Sequence, residues 1–213
     1  MAASRTDRLP TPIHNLTHVI PFLQTTPIHR LPPELLTRVF TYLRRIWINH
    51  HAPYSRQRTL LWTIVMEVCR RWRDVVLEAA VLWSYIPRFY HMPMIKRCLQ
   101  LSKHAPLVVH LNTSATGDEV YQLFEGTAPR FRCLQVYTCD VGNSWQELCS
   151  LLSGPAPLLE SLCIELSMRN EENTHSWMDN LCAGITPRLR NVSLLGCGIN
   201  FSAPFLRNLT ILE

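Results

Sequence analysis

Glycine is scarce in this chain, with seven among 213 residues. Loops that cradle phosphate groups need several glycines close together, so nucleotide chemistry of that kind is not expected. The sequence also lacks G-x-S-x-G and H-E-x-x-H, which removes two common hydrolase arrangements. No C-x-x-C pair occurs, His50 and His51 are adjacent, and His104 and His110 are isolated, so the spacing of a metal site is missing. Glu171, Glu172 and Asp179 read as a solvated acidic helix start rather than an acid/base pair. No apolar run approaches the 18 or so residues of a membrane span. The opening MAASRTDRLP has no basic stretch followed by an apolar core, so a secretory signal is not expected. These absences point away from an enzyme, a metal or a cofactor, and towards an intracellular protein, cytoplasmic or nuclear.

What is present suits a folded chain, since 47% of the residues are hydrophobic. Eight cysteines lie mostly among apolar neighbours, as in Leu148-Cys149 and Leu162-Cys163-Ile164, and read as reduced thiols. The net charge of +5 is unevenly spread. Residues 1–110 carry 15 Lys and Arg against 5 Asp and Glu, while residues 111–213 carry 6 against 11. Two modules with different partners are implied.

Residues 1–27 are rich in Pro, Thr and His and read as a flexible lead-in. Pro32 and Pro33 suit the first turn of a helix, and Leu35, Leu36, Val39, Phe40 and Leu43 follow at helical spacing. That helix is expected to stop near Arg44, leaving 44–59 as a polar, basic loop. Residues 60–79 form one amphipathic helix or two short ones, with Leu61, Ile64, Val65, Val68, Trp72, Val75 and Val76 on one side. Arg70, Arg71, Arg73 and Asp74 fall mostly on the exposed side. Leu82 and Trp83 close the segment, and a linking helix follows within 84–104, opening at Pro93.

From residue 105 the chain alternates strand and helix, which gives parallel strands with helices on the other side. A strand is expected over 105–111, and helices over 117–125, 144–152 and 175–183. The pattern P-x-[L/F]-x-x-[L/V]-x-[L/I/V] occurs four times, starting at Pro129, Pro157, Pro187 and Pro204. Such units cannot bury their apolar face alone, so they stack and leave one long face open for binding. Period-two alternation places Arg132, Gln135, Tyr137, Ser161, Cys163, Glu165, Asn191, Ser193 and Leu195 on that face. The last strand residues lie 28, 30 and 17 apart, so the last connection has room only for a turn. With the chain ending at Glu213, the array is expected to be incomplete at its C-terminus.

IHRLPPELLTRVFTYL (28–43), VCRRWRDVV (68–76) and LW (82–83) together resemble the F-box, a three-helix module, and most of all the F-box proteins abundant in mushroom-forming fungi. The repeats resemble leucine-rich repeats, with Cys139 and Cys197 at the family's Asn/Cys position, and Val141 and Ile199 after them; Ser167 and Arg169 depart from it. The fold class implied is a mainly α F-box (28–83) followed by an α/β leucine-rich-repeat-like solenoid (105–213). The resemblance implies a substrate-recognition subunit of a cullin-RING (SCF-type) ubiquitin ligase. Its adaptor-binding residues would come from Leu31, Pro32, Leu35, Leu36, Val39, Phe40, Val68, Cys69, Trp72, Leu82 and Trp83, with Leu31 and Pro32 as anchors. The partner would be a Skp-family adaptor, and through it a cullin, with the repeats holding a target protein. The basic charge of the first half favours encounter with an acidic adaptor. The alternative is a repeat scaffold that takes no part in ubiquitin transfer. A third reading is nucleic-acid binding by Arg44, Arg45, Arg56, Arg58, His50 and His51, with Trp47 and Tyr54 between them.

Overall fold

The structure, a computed structural model, describes residues 27–51, 62–112, 118–138, 143–166, 178–196, 203, 205–206 and 209–213. A 3₁₀ turn at Pro27–Arg30 leads into helix α1, Pro33–His51. Two short helices follow, α2 (Val65–Val68) and α3 (Arg70–Glu78), separated by Cys69 in an extended conformation. Helix α4 (Ala80–Trp83) then runs directly into strand β1, Tyr85–Ile86. Helix α5, Met92–Leu101, is capped by His91, whose Nδ1 accepts from the Met94 N–H. The remaining strands are β2 (Leu107–Asn112), β3 (Phe131–Thr138), β4 (Ser161–Leu166), β5 (Asn191–Leu195) and β6 (Ile211–Leu212). Between them lie 3₁₀ segments at Asp118–Phe124 and Met178–Gly184, and helix α6, Asn143–Leu151.

All six strands form one parallel sheet in chain order. Alternation decides which face is covered: Val109, Leu111, Leu134, Val136, Leu162, Ile164, Val192 and Leu194 are buried, and their in-between neighbours are not. The buried side packs on Val120, Phe124, Leu148, Leu152 and Leu181 from the helical segments. Leu159 and Leu189, the first apolar position of their repeats, are fully buried beneath the strand starts. The same core continues without a gap through Ile95, Trp83 and Phe40. The helical part and the sheet thus share one interior.

Three expectations need correction. Helix α1 does not end near Arg44 but continues to His51. Trp47 and Ile48 extend its buried side, and Arg44 turns inward, donating to the carbonyl oxygens of Val81 (3.0 Å) and Leu82 (2.5 Å). The charge at Arg44 satisfies the backbone at the end of α4, where no further helical turn supplies donors. The sheet begins not at 105 but at Tyr85, in a stretch expected to be only a linker. The fourth repeat does not keep its register: the motif aligns Ile211 with Leu194, yet Ile211 pairs with Asn191. The shift of three residues, an odd number, also puts Ile211 on the open face instead of the buried one. The first three repeats keep the register, through Leu134–Leu162–Val192 and Val136–Ile164–Leu194.

The helices expected over 117–125 and 175–183 are 3₁₀ segments, tighter and shorter than α-helices. Cys139, Val141, Ser167, Arg169, Cys197 and Ile199 lie outside the described residues, as do the lead-in 1–26 and the segment 52–61.

Candidate functional site

Helix α1 carries two apolar stripes side by side. Leu36, Phe40, Leu43 and Trp47 recur at the spacing of one helix face and enter the core. Leu35, Val39, Tyr42 and Ile46, each one residue earlier, form the adjoining stripe and are exposed, Tyr42 most of all at 68%. Ile64 and Val68 are exposed on the neighbouring segment. Large apolar side chains left in water in this number mark a surface that another protein covers.

The sequence-expected adaptor residues therefore divide. Pro32, Leu35, Val39 and Val68 are exposed, and Leu31, Cys69 and Trp72 are half-buried. Leu36, Phe40, Leu82 and Trp83 are no more than 1% exposed and belong to the interior, so no partner touches them in this conformation. The Trp83 indole N–H donates to the Val76 carbonyl (2.8 Å), and its ring meets Trp62 edge-on at 5.4 Å. Trp62 in turn donates to the Tyr90 hydroxyl (3.2 Å). Trp72 stacks on Phe40 (5.0 Å) and His29 (5.8 Å), which seats the Pro27–Arg30 turn against α3.

Arg71, expected on the exposed side, turns inward. Its guanidinium donates to the carbonyl oxygens of His29 and Leu31 and fixes the chain just ahead of Pro32. Sequence reasoning missed it because a long charged side chain can reach back across an apolar face.

The open face of the sheet is ordered in rows by the parallel register. One row runs Tyr85, Val108, Cys133, Ser161, Asn191 and Ile211; the next runs His110, Gln135, Cys163 and Ser193; the third runs Asn112, Tyr137, Glu165 and Leu195. Eight of the nine sequence-expected residues fall here. Arg132 is the exception: the register slips beside it, Leu107 pairing with Phe131 and Val108 with Cys133, so Arg132 leaves the alternation. It makes an ion pair with Glu160 (3.7 Å) at the start of the sheet. Val108, His110 and Asn112 alternate with buried neighbours and were findable from the strand expected at 105–111.

The β1–β3 side of this face is aromatic and basic. The Tyr85 ring lies 5.2 Å from His110, and the Arg88 guanidinium sits 5.1 Å from the Tyr137 ring and 4.8 Å from Phe89. Burial, with Arg88 adding to it, holds the His110 imidazole below its ordinary range. Burial likewise raises the hydroxyl of Tyr85. A groove of about 660 Å³ opens where α1 meets this edge of the face, lined by Thr41, Arg44, Arg45, Tyr85 and Arg132 among others.

The grouping expected for nucleic acid falls only partly within the described residues. Arg44 is hydrogen-bonded inward and Trp47 packs on the core, while Tyr54, Arg56 and Arg58 lie outside the described residues. Among the described residues no group of three or more His, Cys, Asp or Glu could hold a metal ion, and no helix is long and apolar enough to cross a membrane. The six cysteines among the described residues are free thiols, Cys98 and Cys182 buried and the other four half-buried.

A helical unit with an exposed apolar stripe, joined to a repeat sheet with one open face, marks a protein-interaction module. The helical unit has a family: residues 28–86 match the F-box-like family and form an F-box-like domain. The matched span reaches through β1, into the sheet itself. No curated protein and no solved structure matches the chain.

Proposed function

We propose that this chain is a substrate-recognition subunit of an SCF-type cullin-RING ubiquitin ligase. The α1 stripe docks a Skp-family adaptor, which connects to a cullin, and the leucine-rich-repeat-like open face receives a target protein. The observation that carries this reading is the unburied second stripe of α1 within the F-box-like span. A helix-in-groove partner takes side chains at that spacing. Each large apolar anchor, when buried, contributes roughly 1.5–3 kcal/mol. The chain carries out no bond chemistry itself; it holds the target beside the transferring enzyme and raises the local concentration of the reacting groups.

The test is co-expression with a Skp-family adaptor followed by size-exclusion chromatography. Wild type should elute as a one-to-one complex. Leu35→Glu/Val39→Glu should elute free but folded, because both positions already face water. A folded wild type that recovers no adaptor overturns the reading and leaves a repeat scaffold outside ubiquitin transfer.

A further inference from the structure

Several arginines in this fold have assigned tasks. Arg44 and Arg71 hold backbone carbonyls, Arg130 bonds Ser102 and Ala105, and Arg132 pairs with Glu160. Arg88 differs. Among the described residues it has no carboxylate within ion-pair distance and no hydrogen-bond acceptor, yet its guanidinium lies over the Phe89 ring at 4.8 Å and over the Tyr137 ring at 5.1 Å. Ring contact occupies the faces of a guanidinium and leaves its in-plane N–H groups available as a rigid fork. That fork matches the two oxygens of a carboxylate.

The surroundings support such a role. Gln135 donates through Nε2 to the Tyr137 hydroxyl oxygen, so the hydroxyl keeps its own proton to donate. His110 stands between β1 and Gln135 in the same row, half-buried and uncharged at neutral pH, and offers a neutral donor or acceptor. Charge distinguishes the ligand further. Glu165 lies opposite Tyr137 in register, so the site has one unpaired cation with an anion near it. A dianionic phosphate ester would be under-compensated there, since its recognition generally uses clustered arginines. A single carboxylate asks for only the one guanidinium fork and adds half the repulsion from Glu165 that a dianion would.

We propose that Arg88, with Tyr137, is the specificity-determining contact of the open face and takes the side-chain carboxylate of an Asp or Glu in an extended segment of the target protein. The inference rests on the reading of the open face as the target surface.

The experiment pans a library of short random peptides against the full chain in complex with its adaptor, or alone if the adaptor does not bind. Selected peptides are then synthesised in the acidic form, the Asn/Gln form and a phosphoserine form. The expected result is an acidic residue enriched at one position. Affinity should fall about tenfold or more on Arg88→Gln, and equally on the Asn/Gln peptide, as for loss of a charge-assisted hydrogen bond. Arg88→Lys should recover only part of it, and acidic peptide should raise the His110 titration midpoint seen by NMR. Selected peptides insensitive to Arg88→Gln but lost in Ser193→Arg/Leu195→Arg overturn the carboxylate assignment and keep the face. Peptides insensitive to both variants, or no selection at all, overturn both readings. Tighter binding of the phosphoserine form overturns the monoanion assignment.

Discussion

The Arg71 guanidinium, on α3, donates to the Leu31 carbonyl oxygen, which lies one residue before Pro32. With its second bond to His29, this side chain latches the segment preceding α1 onto the helical unit. Arg71→Ala should leave a folded protein weakened by roughly 1–3 kcal/mol, the range for lost hydrogen bonds to a charged group. Its adaptor complex should dissociate faster than wild type, as Leu31 and Pro32 lose their fixed position. Chemical denaturation and surface-immobilised dissociation kinetics read the two effects separately.

The two stripes of α1 should respond oppositely to truncation. Phe40→Ala opens a cavity beneath Trp72 and should cost about 3–5 kcal/mol. Tyr42→Ala, on the exposed stripe, should change stability by no more than about 0.5 kcal/mol while weakening the adaptor complex. Equal losses of stability would show that the stripe is not free.

Gly196 follows β5 with φ +75°, and a Cβ built there would stand 2.5 Å from the Leu166 carbonyl oxygen. Both the conformation and the contact forbid a side chain, and the obstacle is backbone rather than a movable rotamer. Gly196→Ala should lower stability by more than about 1 kcal/mol. A melting temperature equal to wild type would contradict this.

Thiol chemistry should separate the cysteines. Burial pushes Cys98 and Cys182 up to about 12, and Cys149 up to about 11. At pH 8 a thiol of the first kind is ionised in roughly one molecule in ten thousand, and the thiolate is the reactive form. Iodoacetamide labelling read by mass spectrometry should reach Cys98 and Cys182 only on unfolding, and Cys149 slowly before it.

His110 makes stability fall on acidification. Its folded pKa lies below the unfolded value of about 6.5, through burial first and Arg88 second. As the pH drops through that value the unfolded chain gains a proton before the folded one does, and the balance shifts towards unfolding. His110→Gln should flatten the stability profile between about pH 7 and 5.

The parts of this fold that repeat were readable, and the parts that occur once were not. Leu134, Leu162 and Val192 stand in the expected register because three copies state the same spacing. The fourth copy states it too, yet Ile211 pairs with Asn191 rather than Leu194, a shift the motif does not signal. Strand β1 has two residues, too few to show alternation. Periodicity found α1 but could not say which of its two adjoining stripes the core would cover, so Leu36 and Phe40 were grouped with Leu35 and Val39. Arg44 and Arg71 were read as surface by their charge, when both serve backbone carbonyls. Arg88 gave no signal at all; only the fold carries it across to Tyr137.

Strand β1 belongs at once to the F-box-like span and to the sheet, and this determines how the protein can be recombined. A cut after Ile86, where the F-box-like span ends, would strip the sheet of its first strand and divide the shared Trp83–Ile86–Ile95 interior. The two surfaces are therefore not exchangeable cassettes. A chimera that lends this sheet to another F-box-like unit must carry Tyr85–Leu101 with it, and one that borrows only the helical unit inherits a raw apolar seam.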